Sequence, residues 1–220
     1  MKIYDLFLSG FMREENTVEI TEGVFTKSPD YEKIINYVFL DNPQIFFVNS
    51  TGFITKRNNK KLTFRFSVLY SRQQIEKFRK ITESSGMKII AKCNGITNDE
   101  KRIRILHDCL AENIEYCNLP HPPLDKYSLV GALTQKSAVC NGYAQAFKFL
   151  CDSIGIPCII VGGKDNTFEN HAWNMVNFGN SWYHIDVTWD SALRSHKYYL
   201  VTDNFISKDH FWDTELVPRC

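Results

Sequence analysis

The dipeptide Gly179-Asn180 lies between two runs, 171–178 and 181–190, that are dense in aromatic and β-branched residues. Such a pair between such runs specifies a hairpin with a two-residue loop, because both residues accept the positive φ angles the loop demands. The loop fixes the register: Phe178 faces Ser181, Trp173 faces Asp186 and His171 faces Thr188. His171 and Asp186 then become diagonal neighbours on one face, about 7–8 Å apart at their backbones. An imidazole and a carboxylate bridge that gap with a hydrogen bond. A loop one residue longer would send them to opposite faces. An antiparallel sheet bearing a His–Asp pair is therefore the first constraint on the fold.

The second constraint is Ala138-Val139-Cys140-Asn141-Gly142-Tyr143-Ala144, which opens an apolar helical stripe continuing through Phe147, Leu150, Cys151 and Ile154. Gly155 with Ile156-Pro157 ends it, since glycine takes the left-handed cap and proline cannot continue a helix. Cys140 thus falls in a first helical turn, where free N–H groups and the helix dipole both favour thiolate over thiol.

Composition removes several function classes. The 220 residues carry a formal net charge of +1, which argues against an electrostatic nucleic-acid binder. No apolar run has the length of a membrane span, and Asp5 interrupts the start where a signal peptide needs its apolar segment. The expectation is a cytoplasmic protein if Met1 is the native start, with no membrane and no nucleic acid among its partners. Seven scattered cysteines without a CxxC pair suggest neither a disulfide framework nor a zinc site. Cys109, Cys117, Cys151 and Cys158 read as core thiols, and no cofactor or metal is expected.

Residues 1–94 read as an α+β accessory region. Thr17-Val18-Glu19-Ile20 alternates as a strand, and Ser28-Pro29-Asp30 opens a helix through Leu40. Ile45-Phe46-Phe47-Val48 and the run 61–70 suggest an antiparallel ribbon, followed by a long helix after Ser71. Residues 95–220 form the second region. Asn98-Asp99-Glu100 caps a helix whose apolar positions are Ile103, Leu106, Leu110, Ile114 and Cys117, and a short helix over Tyr127 to Leu133 leads to Cys140.

A thiol that attacks an amide needs a base to take its proton and a third group to fix the imidazole. Cys140, His171 and Asp186 supply those residue types. The stretches around them, with Gly155-Ile156-Pro157, His171-Ala172-Trp173-Asn174 and Trp182-Tyr183-x-Ile185-Asp186-x-Thr188-Trp189, resemble the transglutaminase-like core of microbial proteins over about 95–205. Asn113-Ile114-Glu115-Tyr116 is similar to that family's lead-in. The resemblance implies a papain-like α+β fold, with the cysteine-bearing helix packed on an antiparallel sheet. It also implies that Cys140, His171 and Asp186 are the catalytic triad of a cysteine protease or acyltransferase, with a protein or peptide substrate. An inactive binding or scaffold module on the same fold is the alternative. Animal transglutaminases have tryptophan after the cysteine, where this chain has Asn141. The acidic calcium clusters of those enzymes and the zinc CxxC pairs of peptide N-glycanases have no counterpart here.

Other candidates compete for these roles. His184 shares the predicted strand face with Asp186 and is a second candidate base; Asp190 is a second candidate carboxylate. The backbone N–H of Cys140 and the side chain of Gln135 are candidate oxyanion donors. Trp173, Trp182 and Trp189 are either core or groove. His107 reads as a packing or surface residue, and His196 and His210 receive no role.

Overall fold

The computed structural model describes residues 2–21, 30–58 and 61–220. These divide into two compact units, Met1–Lys77 and Phe78–Cys220. The first contains helix α1 (Ile3–Met12), strand β1 (Thr17–Thr21), helix α2 (Tyr31–Asp41), and strands β2 (Val48–Asn58) and β3 (Lys61–Val68). The strands form an antiparallel sheet in the order β1-β3-β2. Leu62, Phe64 and Phe66 are the inward alternates of β3. Phe64 and Phe66 meet α1 edge-on, with ring centroids 5.1 Å apart for Phe7–Phe64 and 4.8 Å for Phe11–Phe66. Asp30 caps α2 by accepting from the Lys33 N–H at 3.0 Å, while Ser28 and Pro29 lie outside the described residues. Ile45-Phe46-Phe47 does not belong to the ribbon. Pro43–Ile45 is a 3-10 turn, and the side chains of Ile45, Phe46 and Phe47 are all buried where a strand would alternate.

Helix α3 (Arg72–Ile90) contains the division between the units. The second unit continues with α4 (Asp99–Asn113), β4 (Glu115–Tyr116), α5 (Leu129–Gln135), β5 (Ser137–Ala138) and α6 (Cys140–Ser153). Strands β6 (Cys158–Asp165), β7 (Asn170–Phe178) and β8 (Ser181–Ile185) follow, then α7 (Val187–Leu193), α8 (Asp203–Ile206) and β9 (His210–Trp212). Asn98 caps α4 through the Lys101 N–H at 2.8 Å. The helix stops at Asn113, short of Cys117. The Asn113 side chain folds back onto the Cys109 carbonyl, and Glu115–Tyr116 pairs in parallel with Ser137–Ala138.

The larger sheet is antiparallel in the order β8-β7-β6-β9. Its β7–β8 hairpin has the expected register, with Phe178 opposite Ser181, and Gly179 and Asn180 at φ 60° and 66°. Pairing ends at Asn174–Ile185, so His171 has no partner at Thr188. The chain instead turns at Asp186, whose carboxylate accepts from the N–H groups of Thr188 and Trp189 and so starts α7.

Helix α6 packs on β6 and β7, and a buried amide joins them: Asn174 donates to the Ala144 carbonyl at 3.0 Å and to the Ile159 carbonyl at 3.3 Å. The first turns of α6 are thereby tied to the strand that bears His171. Gly142 allows the same helix to approach the 124–128 segment, since a Cβ there would lie 2.6 Å from the Lys126 carbonyl oxygen. Gly163 does this for β9: its Cβ would lie 2.3 Å from the Phe211 carbonyl oxygen and 2.8 Å from the Trp173 ring. Gly163→Ala must therefore push β9 off β6. The expected cost is about 1–3 kcal/mol from overpacking, read as a lower urea midpoint. An unchanged midpoint would show that β9 adjusts freely.

Candidate active site

Cys140 is the first residue of α6 and is half-buried. Val139 precedes it in extended geometry and gives the helix start no side-chain cap hydrogen bond. The segment before the helix is held by the Val139 N–H on the Lys126 carbonyl at 3.0 Å. The Asn141 amide on the Tyr127 carbonyl at 2.7 Å holds the helix start from the same side. Asn141 thus anchors the loop that flanks the thiol.

His171 lies on β7 and is buried, with Nε2 2.7 Å from Asp186 Oδ2. The Cys140 thiol acts on the same imidazole, adding to the effect of Asp186. Burial acts to lower the imidazolium's pKa, but the hydrogen bond and charge of Asp186, with Cys140 adding to them, raise it to about 10. Asp186 is fully buried. Burial favours its neutral form, yet the two imidazoles bonded to it, His171 and His210, bring the carboxyl down to about 2. The structure therefore sets His171 against the Asp186 carboxylate, with the Cys140 thiol near enough to act on the same ring.

The competing residues have other partners. His184 Nδ1 accepts from Trp173 Nε1 at 2.9 Å and its Nε2 faces Asp203 at 2.9 Å. Burial foremost, with the nearby His210 adding, pushes its pKa down despite Asp203. Asp190 is buried between the Tyr198 N–H at 2.9 Å and His107 Nε2 at 3.1 Å, joining α7 to α4 and to the 195–199 segment. Gln135 is exposed, with its amide oxygen on Lys126 and its amide nitrogen on Asp125, turned to its own surface network. Trp173 is core: it stacks on His171 with centroids 5.8 Å apart, while Trp189 tilts against His171 at 5.7 Å.

Two neighbours carry signals too weak to read from sequence. Tyr116 is pushed up to about 12 by burial and then by Cys140, which places its phenol in the thiol's electrostatic surroundings. His210 is buried on β9 with Nε2 3.1 Å from Asp186 Oδ2. Its only sequence mark is a short aromatic strand, Phe211-Trp212, around it.

Among the described residues, three clusters have donor sets that a metal ion accepts: His107–Asp108–His196, His171–Asp186–His210 and His184–Asp203–Cys220. In the first, Arg104 Nε already lies 2.9 Å from the Asp108 carboxylate. In the third, the Trp173 donor leaves the proton on His184 Nε2, the nitrogen a metal would need. The second is the site just described. All seven cysteines are free thiols, and burial pushes Cys151 well up. Among the described residues, no helix is long and apolar enough to cross a membrane.

Fold and site define the class: a papain-like α+β domain, in which a helix that begins at a cysteine packs on an antiparallel sheet carrying a His–Asp pair. Residues 88–187 match the model of the transglutaminase-like superfamily. Kyphoscoliosis peptidase of Mus musculus is 25% identical over 142 residues, covering 54% of this chain and 22% of that protein. The Homo sapiens protein of the same name is 26% identical over 141 residues, covering 53% and 21%. The match thus spans about a fifth of these relatives' length. A crystal structure of a TGase aligns with TM-score 0.44 at 14% identity, covering 78% of this chain and 50% of that one.

Proposed function

We propose that this protein is a cysteine-dependent amide hydrolase or acyltransferase that acts on peptide or glutamine carboxamide bonds through Cys140, His171 and Asp186. The observation that carries the reading is one imidazole, His171, held at 2.7 Å by a buried carboxylate and acted on by the thiol that starts a helix. The Cys140 thiolate attacks the carbonyl carbon, and the N–H of Cys140 is the first candidate donor to the developing oxyanion. As the C–N bond breaks, the His171 imidazolium gives its proton to the leaving amine, and a thioester remains. The neutral imidazole then takes a proton from water or from an acceptor amine, whose attack releases the acid or the new amide and restores the thiolate–imidazolium pair. The name peptidase borne by the two relatives supports water as the acceptor.

The test is a competition among thiols. Iodoacetamide at about pH 6.5 should label Cys140 far faster than the other six, most of which are buried. Cys140→Ala should abolish cleavage of any peptide found in a library screen. Equal labelling of all seven, or cleavage that survives Cys140→Ala, would overturn the proposal and leave a binding module on a papain-like fold.

A further inference from the structure

Asp186 has two imidazoles on one oxygen. His171 Nε2 lies 2.7 Å and His210 Nε2 3.1 Å from the same Oδ2, while Oδ1 is taken by the amides of Thr188 and Trp189. The other nitrogen of His210, Nδ1, lies 2.8 Å from Asp209 Oδ1. An ionised carboxylate only accepts, so each nitrogen of the His210 ring faces an acceptor. His210 is fully enclosed: the Trp189 ring lies 4.4 Å from it, Trp173 4.9 Å, Tyr198 5.3 Å and His171 5.3 Å, centroid to centroid. Asp209 in turn accepts from the Tyr198 hydroxyl at 2.5 Å and has Lys197 Nζ at 3.7 Å. The groups that face His210 are therefore Asp186 and Asp209 by hydrogen bond, the His171 ring by contact, His184 nearby, and Lys197 and Tyr198 through Asp209.

We propose that His210 is a positioning residue of the site: a second imidazole, backed by Asp209, that divides Asp186 with His171 and tempers the carboxylate's hold on the catalytic imidazolium. The inference rests on the triad reading above. Its chemical sense is that a general acid must let its proton go near the working pH. A buried carboxylate devoted to His171 alone would hold that proton too tightly. Two donors on one oxygen share its lone pairs, so each bond is weaker than a single donor's would be. Asp209, on Nδ1, holds the His210 ring in place against Asp186. The line Cys140–His171–Asp186–His210–Asp209 thus joins the thiol to the chain's surface without an unpartnered ring nitrogen on His210.

The experiment is the pH profile of Cys140 alkylation by iodoacetate, an anionic reagent whose reaction with the thiolate is favoured by a neighbouring imidazolium and slows when that ring loses its proton. Wild type, His210→Gln and Asp209→Asn are compared, each with its thermal midpoint. His210→Gln replaces the ring that shares Oδ2 with a flexible neutral amide and leaves more of the carboxylate to His171, so its alkaline limb should move up by about half a pH unit or more. Asp209→Asn touches only the far side of His210 and should move the limb in the same direction by less. It also carries the test if the glutamine variant does not fold. A limb that stays in place in the folded variants would overturn the role of His210 while leaving the triad intact, and a downward shift would show support of His171 instead of tempering. A wild type with no bell-shaped profile would overturn the triad reading, and this inference with it.

Discussion

Asp186→Ala is expected to destabilise the protein by about 3–5 kcal/mol, the usual cost of leaving a buried ionic partner without its counter-charge. Two rings lose their acceptor at once, His171 and His210, both buried. A cap is lost as well, since the Asp186 carboxylate receives two amides at the start of α7; that contributes about 1 kcal/mol. Asp186→Asn separates these effects, because its carbonyl oxygen still caps α7 while the charge is gone. It should fall between wild type and Asp186→Ala in urea denaturation. The pH dependence has two sides. The depressed Asp186 carboxyl contributes stability that is present above its ordinary value and lost as pH falls through about 2. The raised His171 contributes stability that is full below its ordinary value and lost as pH rises through about 10. Wild type should therefore show its highest urea midpoint between about pH 4 and 6.5, with a decline on the alkaline side that Asp186→Ala flattens. Equal midpoints for all three proteins at about pH 6 would show that the pair contributes no net stability.

The parts of the site legible in the sequence were those set by local rules. Gly179-Asn180 dictates its loop from φ preference alone, and that register puts His171 within reach of Asp186. The helix start at Cys140 followed from an apolar stripe and its glycine stop, and Gly155 indeed takes φ +75°. What escaped depended on contacts distant in sequence. His210 is 24 residues from Asp186, and only the pairing of β9 with β6 brings it there. Asp186 itself looked like a strand residue because Val187-Thr188-Trp189 has strand composition. Its side chain, accepting two amides, turns the chain into α7 instead. Gln135 failed as an oxyanion candidate for a similar reason: sequence distance from Cys140 cannot reveal that Lys126 and Asp125 occupy both ends of its amide. Asn174 is the converse case. Nothing but the family likeness singled it out, and it proves to be the polar link between the sheet and the cysteine-bearing helix.

His171→Ala should have the largest effect on chemistry. Without the imidazole, Cys140 has no partner to take its proton, and the leaving amine has no acid; losing acid–base assistance of this kind costs about 10²–10⁴-fold in turnover. The electrostatic signature is more specific than the rate. In wild type the imidazolium persists until pH approaches about 10, so iodoacetate should alkylate Cys140 rapidly across the neutral range and slow as that limit is passed. In His171→Ala the alkaline decline should vanish, because no titrating cation remains beside the thiol, and the reaction should follow the ordinary rise of a free thiolate. Asp186→Asn should retain the decline but move it to lower pH, since the carboxylate that raises His171 is gone while the ring remains. That ordering separates a working ion pair from simple proximity. A cysteine merely lying near a histidine would change its rate in both variants but would not lose the limb in one and shift it in the other. If His171→Ala retains the wild-type profile, the imidazole does not act on the thiol, and the fold is serving recognition rather than bond cleavage.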